Sequence, residues 1–309
     1  FQFAAKLTKK RQKSGKNKKA KETGAEVVMA SDPDADRIGL VIRDNNGEYV
    51  LINGNQIVMI FLNYLMTRNT ELGTLTGNEY IVKTIVTTET IRTIAEAQHI
   101  KMYDCFTGFK WIANVMRENE GKARYLGGGE ESYGFLAEDF VRDKDSVSAI
   151  SLMAEIAAWA KDKGLNMTDM LIDIYMKYGF SREKGISLVR KGKSGAEEII
   201  ALMKQFRENP PKEIAGSPVV TVKDFQSLVE TNVATGETKK LDMPATSNVL
   251  QYYTADRTKV SVRPSGTEPK IKFYIEVHDT LASADEYKAT EARADEKIDR
   301  IAKEFGITK

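Results

Sequence analysis

The sequence predicts an α/β protein that gives way to an α+β domain. Two observations carry that prediction. Between residues 56 and 178, short apolar strands alternate with helical segments, the pattern of a largely parallel sheet covered by helices. Beyond a charged extended stretch at 182–191, the pattern changes to strands framed by two amphipathic helices. At 309 residues the chain has room for roughly two domains of ~150 residues, or three small ones.

Residues 6–21 are a lysine-rich run, KLTKKRQKSGKNKKAK. It holds no aromatic side chains to stack on bases and no large apolar face to enter a bilayer. It reads as a solvated helix or arm rather than as a nucleic-acid contact. Residues 26–30 are largely apolar and read as a buried strand, ended by Pro33 and a cluster of polar residues. A strand over 38–42, a turn at Asp44-Asn45-Asn46-Gly47 and a short strand over 49–52 follow. Asn53 or Asn55 caps a helix over 56–66. Strands over 80–86, 101–105 and 124–126 then alternate with helices over 89–99 and 109–118. A strongly apolar helix over 146–160 reads as a core element, and another helix spans 167–178. The segment 182–191 reads as a linker or bridging strand. A helix over 196–207 is broken by Asn209-Pro210-Pro211. Strands over 219–222, 249–253, 259–262 and 270–277 follow, and a charged amphipathic helix over 284–305 closes the chain.

Composition narrows the function. Apolar residues make up 41% and charged residues 29%, as in ordinary globular proteins. With 46 basic against 44 acidic residues, the net charge of +2 gives no overall nucleic-acid signature. The single cysteine, Cys105, excludes an internal disulfide framework and a cysteine metal cluster. His99 and His278 are the two histidines, too few for a histidine-rich metal site. No apolar run reaches about 18 residues, so no membrane span is expected. The basic start lacks an apolar signal region, which makes the cytoplasm the default location. Because the first residue is Phe1, a fragment or processed product is expected.

Chemistry concentrates in four loops. Ser31-Asp32-Pro33-Asp34-Ala35-Asp36-Arg37 places Asp32, Asp34 and Asp36 at alternate positions on one short loop. Three anions so close repel one another unless a cation lies between them. Hard oxygen ligands suit Mg²⁺ or Ca²⁺. An EF-hand would need Gly and Glu where Arg37 and Arg43 stand, so that reading fails; a solvated acidic loop is the plain alternative. Gly127-Gly128-Gly129-Glu130-Glu131-Ser132-Tyr133-Gly134 follows a strand. Its glycines permit positive φ and close approach to a ligand, and its Glu and Ser side chains suit sugar hydroxyls; a plain glycine-rich turn is the alternative. Arg263-Pro264-Ser265-Gly266-Thr267-Glu268-Pro269-Lys270 reads either as an anion nest or as a charged hairpin. Thr107-Gly108-Phe109-Lys110 lies at a strand-to-helix junction that favours an anion. Lys110 there adds a charge or exchanges a proton, unless it is a solvated lysine at an ordinary helix start.

Together and in this order, SDPDADR, GEESYG and RPSGTEPK resemble the metal, sugar and phosphate loops of the α-D-phosphohexomutase superfamily. TGFK and the strand VKTIVTT match as well. The GEESYG form is most similar to the phosphoglucomutase and phosphopentomutase-like branch. The resemblance runs from about Ala25 to the end, and it implies part of a four-domain enzyme. Residues 1–50 would be a remnant of domain two with the metal loop. Residues 51–185 would be the sugar-binding α/β domain three, and 186–309 the phosphate-binding α+β domain four.

The implied activity interconverts hexose 1-phosphate and hexose 6-phosphate through a bisphosphate. Glucose 1-phosphate, glucose 6-phosphate and glucose 1,6-bisphosphate are the expected ligands. Asp32, Asp34 and Asp36 would hold Mg²⁺ and Arg37 would sit beside the moving phosphoryl group. Glu130 and Ser132 would bind sugar hydroxyls. Arg263, Ser265, Gly266 and Thr267 would bind the non-reacting phosphate, and Lys110 is the candidate for proton handling. One departure stands out. The family's phosphoserine loop, a T-A-S-H-N-P-like stretch, has no match, and no Ser is followed by His. The isolated chain is therefore expected not to turn over. A non-catalytic sugar-phosphate-binding protein is the competing reading, and a nucleic-acid binder led by the lysine arm is the third.

Overall fold

The structure, a computed structural model, describes residues 16–190, 192–266 and 268–308. The chain divides between Tyr178 and Gly179 into two compact units. Of the lysine-rich run, residues 6–15 lie outside the described residues, and the remainder opens helix α1 (Lys16–Thr23).

In the first unit, β1 (Val27–Ser31), β2 (Ile38–Arg43) and β3 (Tyr49–Ile52) form an antiparallel sheet in sequence order. Central β2 buries Ile38, Leu40 and Ile42. Strand β1, expected to be buried, is half-buried because it is the edge strand. The turn after β2 is closed by Asp44, whose Oδ1 accepts from the backbone N–H groups of Asn46 and Glu48. Helix α2 (Gly54–Glu71) starts at Asn53, which makes a reciprocal capping box with Gln56. It is buried almost all round over its first three turns.

A second sheet has the order β5-β4-β6-β7. Strands β4 (Glu79–Thr84), β5 (Lys101–Cys105) and β6 (Arg124–Gly129) are parallel, and β7 (Phe135–Ala137) returns antiparallel to β6. Helices α3 (Thr90–Ala97) and α4 (Phe109–Asn119) make the crossovers. Helices α5 (Ser146–Asp162) and α6 (Met167–Tyr178) finish the unit. Helix α5 buries only one stripe, Ser146, Ala149, Met153, Ile156 and Ala160, and leaves Val147 exposed.

Gly127, Gly128 and Gly129, expected in a loop, are the second half of β6 and have ordinary φ. A Cβ on Gly128 would stand 2.6 Å from Val82 O and 2.6 Å from Tyr125 Oη, and one on Gly129 would stand 2.7 Å from Val58 Cγ2. These glycines make room for α2 and for the neighbouring strand.

The second unit is built on an antiparallel sheet ordered β12-β11-β10-β13-β14-β15-β8. Its strands are β8 (Phe180–Val189), β10 (Ser217–Asp224), β11 (Val229–Asn232), β12 (Thr238–Lys240), β13 (Leu250–Thr254), β14 (Lys259–Pro264) and β15 (Lys270–Asp279), with short β9 (Glu213–Ile214) beside β10. Most of the segment read as a linker or bridging strand is a strand, β8, and all ten residues of β8 pair with β15. The second compact unit starts at Gly179. Helix α7 (Gly192–Glu208) packs on β14 and β15, and α8 (Tyr287–Glu304), entered through a 3-10 turn, packs on β15 and β8. Among the described residues, no helix is long and apolar enough to cross a membrane.

Candidate active site

The acidic loop is a hairpin loop. Ser31 pairs with Ile38 across β1 and β2, so residues 32–37 must turn back between them. Ala35 takes a positive φ of 55° to complete the turn. Asp32 Oδ1 accepts from the backbone N–H groups of Asp36 and Arg37, both at 3.1 Å. One carboxylate oxygen from each of Asp32, Asp34 and Asp36 lies within 4.8 Å of the others. Asp36 Oδ1 is buried and has no hydrogen-bond donor. Arg37 Nε stands 3.7 Å from it. Three oxygen donors with one orphaned atom fit a hard divalent cation such as Mg²⁺. The sequence places these three aspartates together, and the structure does so too.

The loop after β6 is bound to this hairpin. Ile38 N–H donates to Tyr133 O at 3.1 Å. Tyr133 has φ of 77°, and its N–H returns to Glu130 O. Glu130 is buried, and Ser132 is half-buried beside it. Glu131 turns the other way: its Oε2 accepts from Thr84 Oγ1 at 3.2 Å and Thr87 Oγ1 at 3.5 Å, at the end of β4. Its carbonyl oxygen presses on Gly54, where a Cβ would stand only 2.0 Å away. Glycine at the start of α2 is what lets the loop seat there.

Topology brings a third loop to the same edge. The chain leaves β4 for β5 on one side and then crosses to β6 on the other. The carboxyl ends of parallel strands open a crevice at such a reversal, the usual place for a ligand in α/β sheets. Thr107 and Gly108 follow β5 at this edge, as residues 130–134 follow β6. Gly108 takes φ of 105° ahead of α4. Lys110 lies in the first turn of α4, exposed, with Nζ 5.4 Å from the centre of the Trp111 ring. Among the described residues it makes no ion pair with either loop. Cys105 ends β5 deep in the core, where burial pushes its thiol pKa far above the ordinary value, so it is no nucleophile.

Two features escaped the sequence reading. Lys83 on β4 is fully buried, with Nζ 3.0 Å from Glu89 Oε1 and 2.8 Å from Asp104 Oδ1. Arg92 pairs with the same two carboxylates. Lys144, between two aspartates in the sequence, looks like surface charge there. In the structure its Nζ lies 3.0 Å from Asp36 Oδ2. Burial alone would lower its pKa; Asp36 and Asp143 beside it outweigh burial and raise it above the ordinary lysine value. No local spacing rule would have found Lys144. Its one nearby signal is Asp145, which caps α5 by accepting from Val147 N–H and Ser148 N–H.

The third motif belongs to the second unit. Ser265, Gly266, Glu268 and Pro269 lie in the connection between β14 and β15, with Ser265 N–H donating to Lys270 O at 2.7 Å. Glu268 N–H donates to Ser265 Oγ, and Lys270 Nζ pairs with Glu268 Oε2. The amides of Ser265 and Glu268, expected to be free in an anion nest, are thus spent within the hairpin. Arg263 is different: among the described residues it has no carboxylate partner, and it lines a cleft of about 670 Å³ with Gly192, Ala196, Ile199, Ser265 and Gly266. Helix α7 borders this cleft from its first residue, Gly192, to Ile200. Thr267 lies outside the described residues.

Known proteins with the same features are now recognisable. Residues 53–178 match the family description "Phosphoglucomutase/phosphomannomutase, alpha/beta/alpha domain III", and residues 207–294 match "Phosphoglucomutase/phosphomannomutase, C-terminal domain". A phosphoglucomutase of Staphylococcus epidermidis is 36% identical over 251 residues, covering 81% of this chain and 45% of its own length. One from Staphylococcus aureus is 35% identical over 256 residues, covering 83% of this chain and 45% of its own. The chain thus spans about half the length of the curated relatives it matches. A phosphoglucomutase/phosphomannomutase family protein of Burkholderia thailandensis superposes on 95% of this chain and 50% of its own, with a TM-score of 0.57 at 19% identity. The open form of pp63/parafusin from Paramecium covers 90% of this chain and 46% of its own, with a TM-score of 0.56 at 16% identity. At those identities the two structures speak to the fold alone.

Proposed function

The chain belongs to the phosphoglucomutase/phosphomannomutase family, and from that premise we propose that it carries the metal, sugar and phosphate loops of a glucose-phosphate mutase of the cytoplasm. The observation that carries this reading is the convergence of Asp32, Asp34 and Asp36, with an orphaned oxygen on Asp36, on a hairpin bonded to the 130–134 loop. Asp32, Asp34 and Asp36 would hold Mg²⁺, which would supply positive charge to neutralise a phosphoryl group in transfer. Arg37 adds its charge beside that group. Glu130 accepts from sugar hydroxyls and Ser132 both donates and accepts. That versatility suits a sugar that must be gripped in two orientations. Arg263, Ser265, Gly266 and Thr267 hold the phosphate that does not react. Lys110 moves the proton at the carboxyl edge of β5.

The whole reaction exchanges hexose 1-phosphate and hexose 6-phosphate through a hexose 1,6-bisphosphate, with glucose as the sugar. This sequence holds no match to the family's serine loop, so the pure chain binds sugar phosphate and does not turn it over. The same observation favours a second reading, a sugar-phosphate-binding protein without catalysis. Sustained mutase activity from the pure chain in a coupled assay would refute both the inactivity and that second reading.

Calorimetric titration of the chain with glucose 1,6-bisphosphate and Mg²⁺, beside Arg263→Ala, tests the phosphate assignment. Binding by the parent and its loss in the variant are expected. Equal binding by both would remove Arg263 from the site.

A further inference from the structure

The strand-to-helix strap ahead of α5 is fastened to both loops of the first unit. Asp145 N–H donates to Phe135 O at 3.1 Å, just past the 130–134 loop, and Ser146 N–H donates to Ala35 O at 3.0 Å, inside the acidic hairpin. The Ser31 and Ser146 hydroxyls are hydrogen-bonded to each other. Lys144 leaves this strap between the two loops. A Cβ on Gly134 would meet the Lys144 Cδ at 2.5 Å and Glu130 Oε1 at 2.9 Å, so the absent side chain of Gly134 is the channel through which the lysine stem runs. The ammonium reaches Asp36 Oδ2 at 3.0 Å with only 14% of the side chain exposed.

We propose that Lys144 is the built-in counter-ion of the acidic hairpin, displaced from Asp36 when a divalent cation binds and drawn then toward Glu130, so that metal loading and the 130–134 loop are coupled through one side chain. This rests on the reading of residues 32–37 as a metal loop. The three carboxylates have few other cations. Asp32 is served by backbone N–H groups, Asp34 is exposed, and Arg37 stands farther from Asp36 than Lys144 does. A divalent ion ligated by Asp36 repels an ammonium on the other oxygen of the same carboxylate. Glu130 is the next carboxylate whose charge acts on Lys144 inside the loops, whereas Asp143 is largely exposed. Lys144 is a positioning residue in this account, acting through Asp36 and Glu130.

The test is calorimetric titration of Mg²⁺ into the full 309-residue chain, its Lys144→Gln variant and its Lys144→Arg variant, with each also melted in chelator and in Mg²⁺. Lys144→Gln is expected to bind Mg²⁺ about tenfold more tightly, a coupling of ordinary size, while Lys144→Arg stays near the parent. In chelator Lys144→Gln melts lower than the parent, and Mg²⁺ closes the gap. Mg²⁺ binding by the parent with equal or weaker binding by Lys144→Gln would overturn the role of the lysine and leave the metal reading standing. No Mg²⁺ binding by any of the three chains would overturn both.

Discussion

Lys83 has no exposed side-chain surface, yet its Nζ stands between the carboxylates of Glu89 and Asp104. Removing one partner from a buried ionic cluster usually costs about 3–5 kcal/mol, because the remaining charges lose their compensation. Arg92 still pairs with both carboxylates, which are partly exposed, so Lys83→Ala falls at or below the low end, about 2–3 kcal/mol. Urea unfolding would show this as a lower midpoint. A change under about 0.5 kcal/mol, the size of an ordinary surface substitution, would mean that Arg92 alone satisfies the cluster. The sequence announces Asp32, Asp34 and Asp36 because they alternate within one loop. It is silent on Lys83 and Lys144, whose partners lie on other elements, and a lysine among polar neighbours reads as solvated until the fold brings an acid to it.

Among the elements, β6 shows where local reading fails. Three consecutive glycines read as a turn because glycine lowers strand propensity. Here the demand comes from outside the strand: the side chains of α2 and the carbonyl of Val82 fill the places where Cβ atoms would stand. Gly128→Ala therefore overpacks against backbone that has little room to yield, and a loss of about 1–3 kcal/mol is expected. Gly108→Ala would make a poor control, since its cost comes from its positive φ of 105° and not from crowding. A melting temperature for Gly128→Ala equal to the parent's would show that β6 shifts freely under α2. Strands β11 and β12 went unseen for another reason. Val229-Glu230-Thr231-Asn232 and Thr238-Lys239-Lys240 bury little and show no apolar alternation. They exist because β10 offers a ladder to pair with. Strands β2, β13 and β14 were legible because most of each is a short buried run, and α2 because Asn53 and Gln56 mark its start.

At the scale of the molecule, the boundary after Tyr178 separates two units that each have a sheet and a buried core of their own. In the second, Tyr252, Phe273, Ile271, Ile275 and Ile298 are essentially inaccessible, and helices α7 and α8 pack on the sheet. A unit with its own core can fold alone. Residues 179–309 expressed by themselves are expected to unfold cooperatively in urea and to give dispersed amide resonances. A broad, non-cooperative transition would show that this unit depends on the rest of the chain. The charged segment at 182–191 read equally as a linker or a bridging strand, since an edge strand with exposed polar side chains looks like a connector until its pairing partner is known.

The three hydrogen-bonded ties among the acidic hairpin, the 130–134 loop and the start of α5 also set what a protein engineer could transplant. Ile38 holds Tyr133, and Ala35 holds Ser146. A graft of residues 31–38 alone into a foreign scaffold would arrive without the walls that keep its turn in shape. The portable cassette is the hairpin together with residues 130–146, two pieces that are distant in the gene and inseparable as a working part.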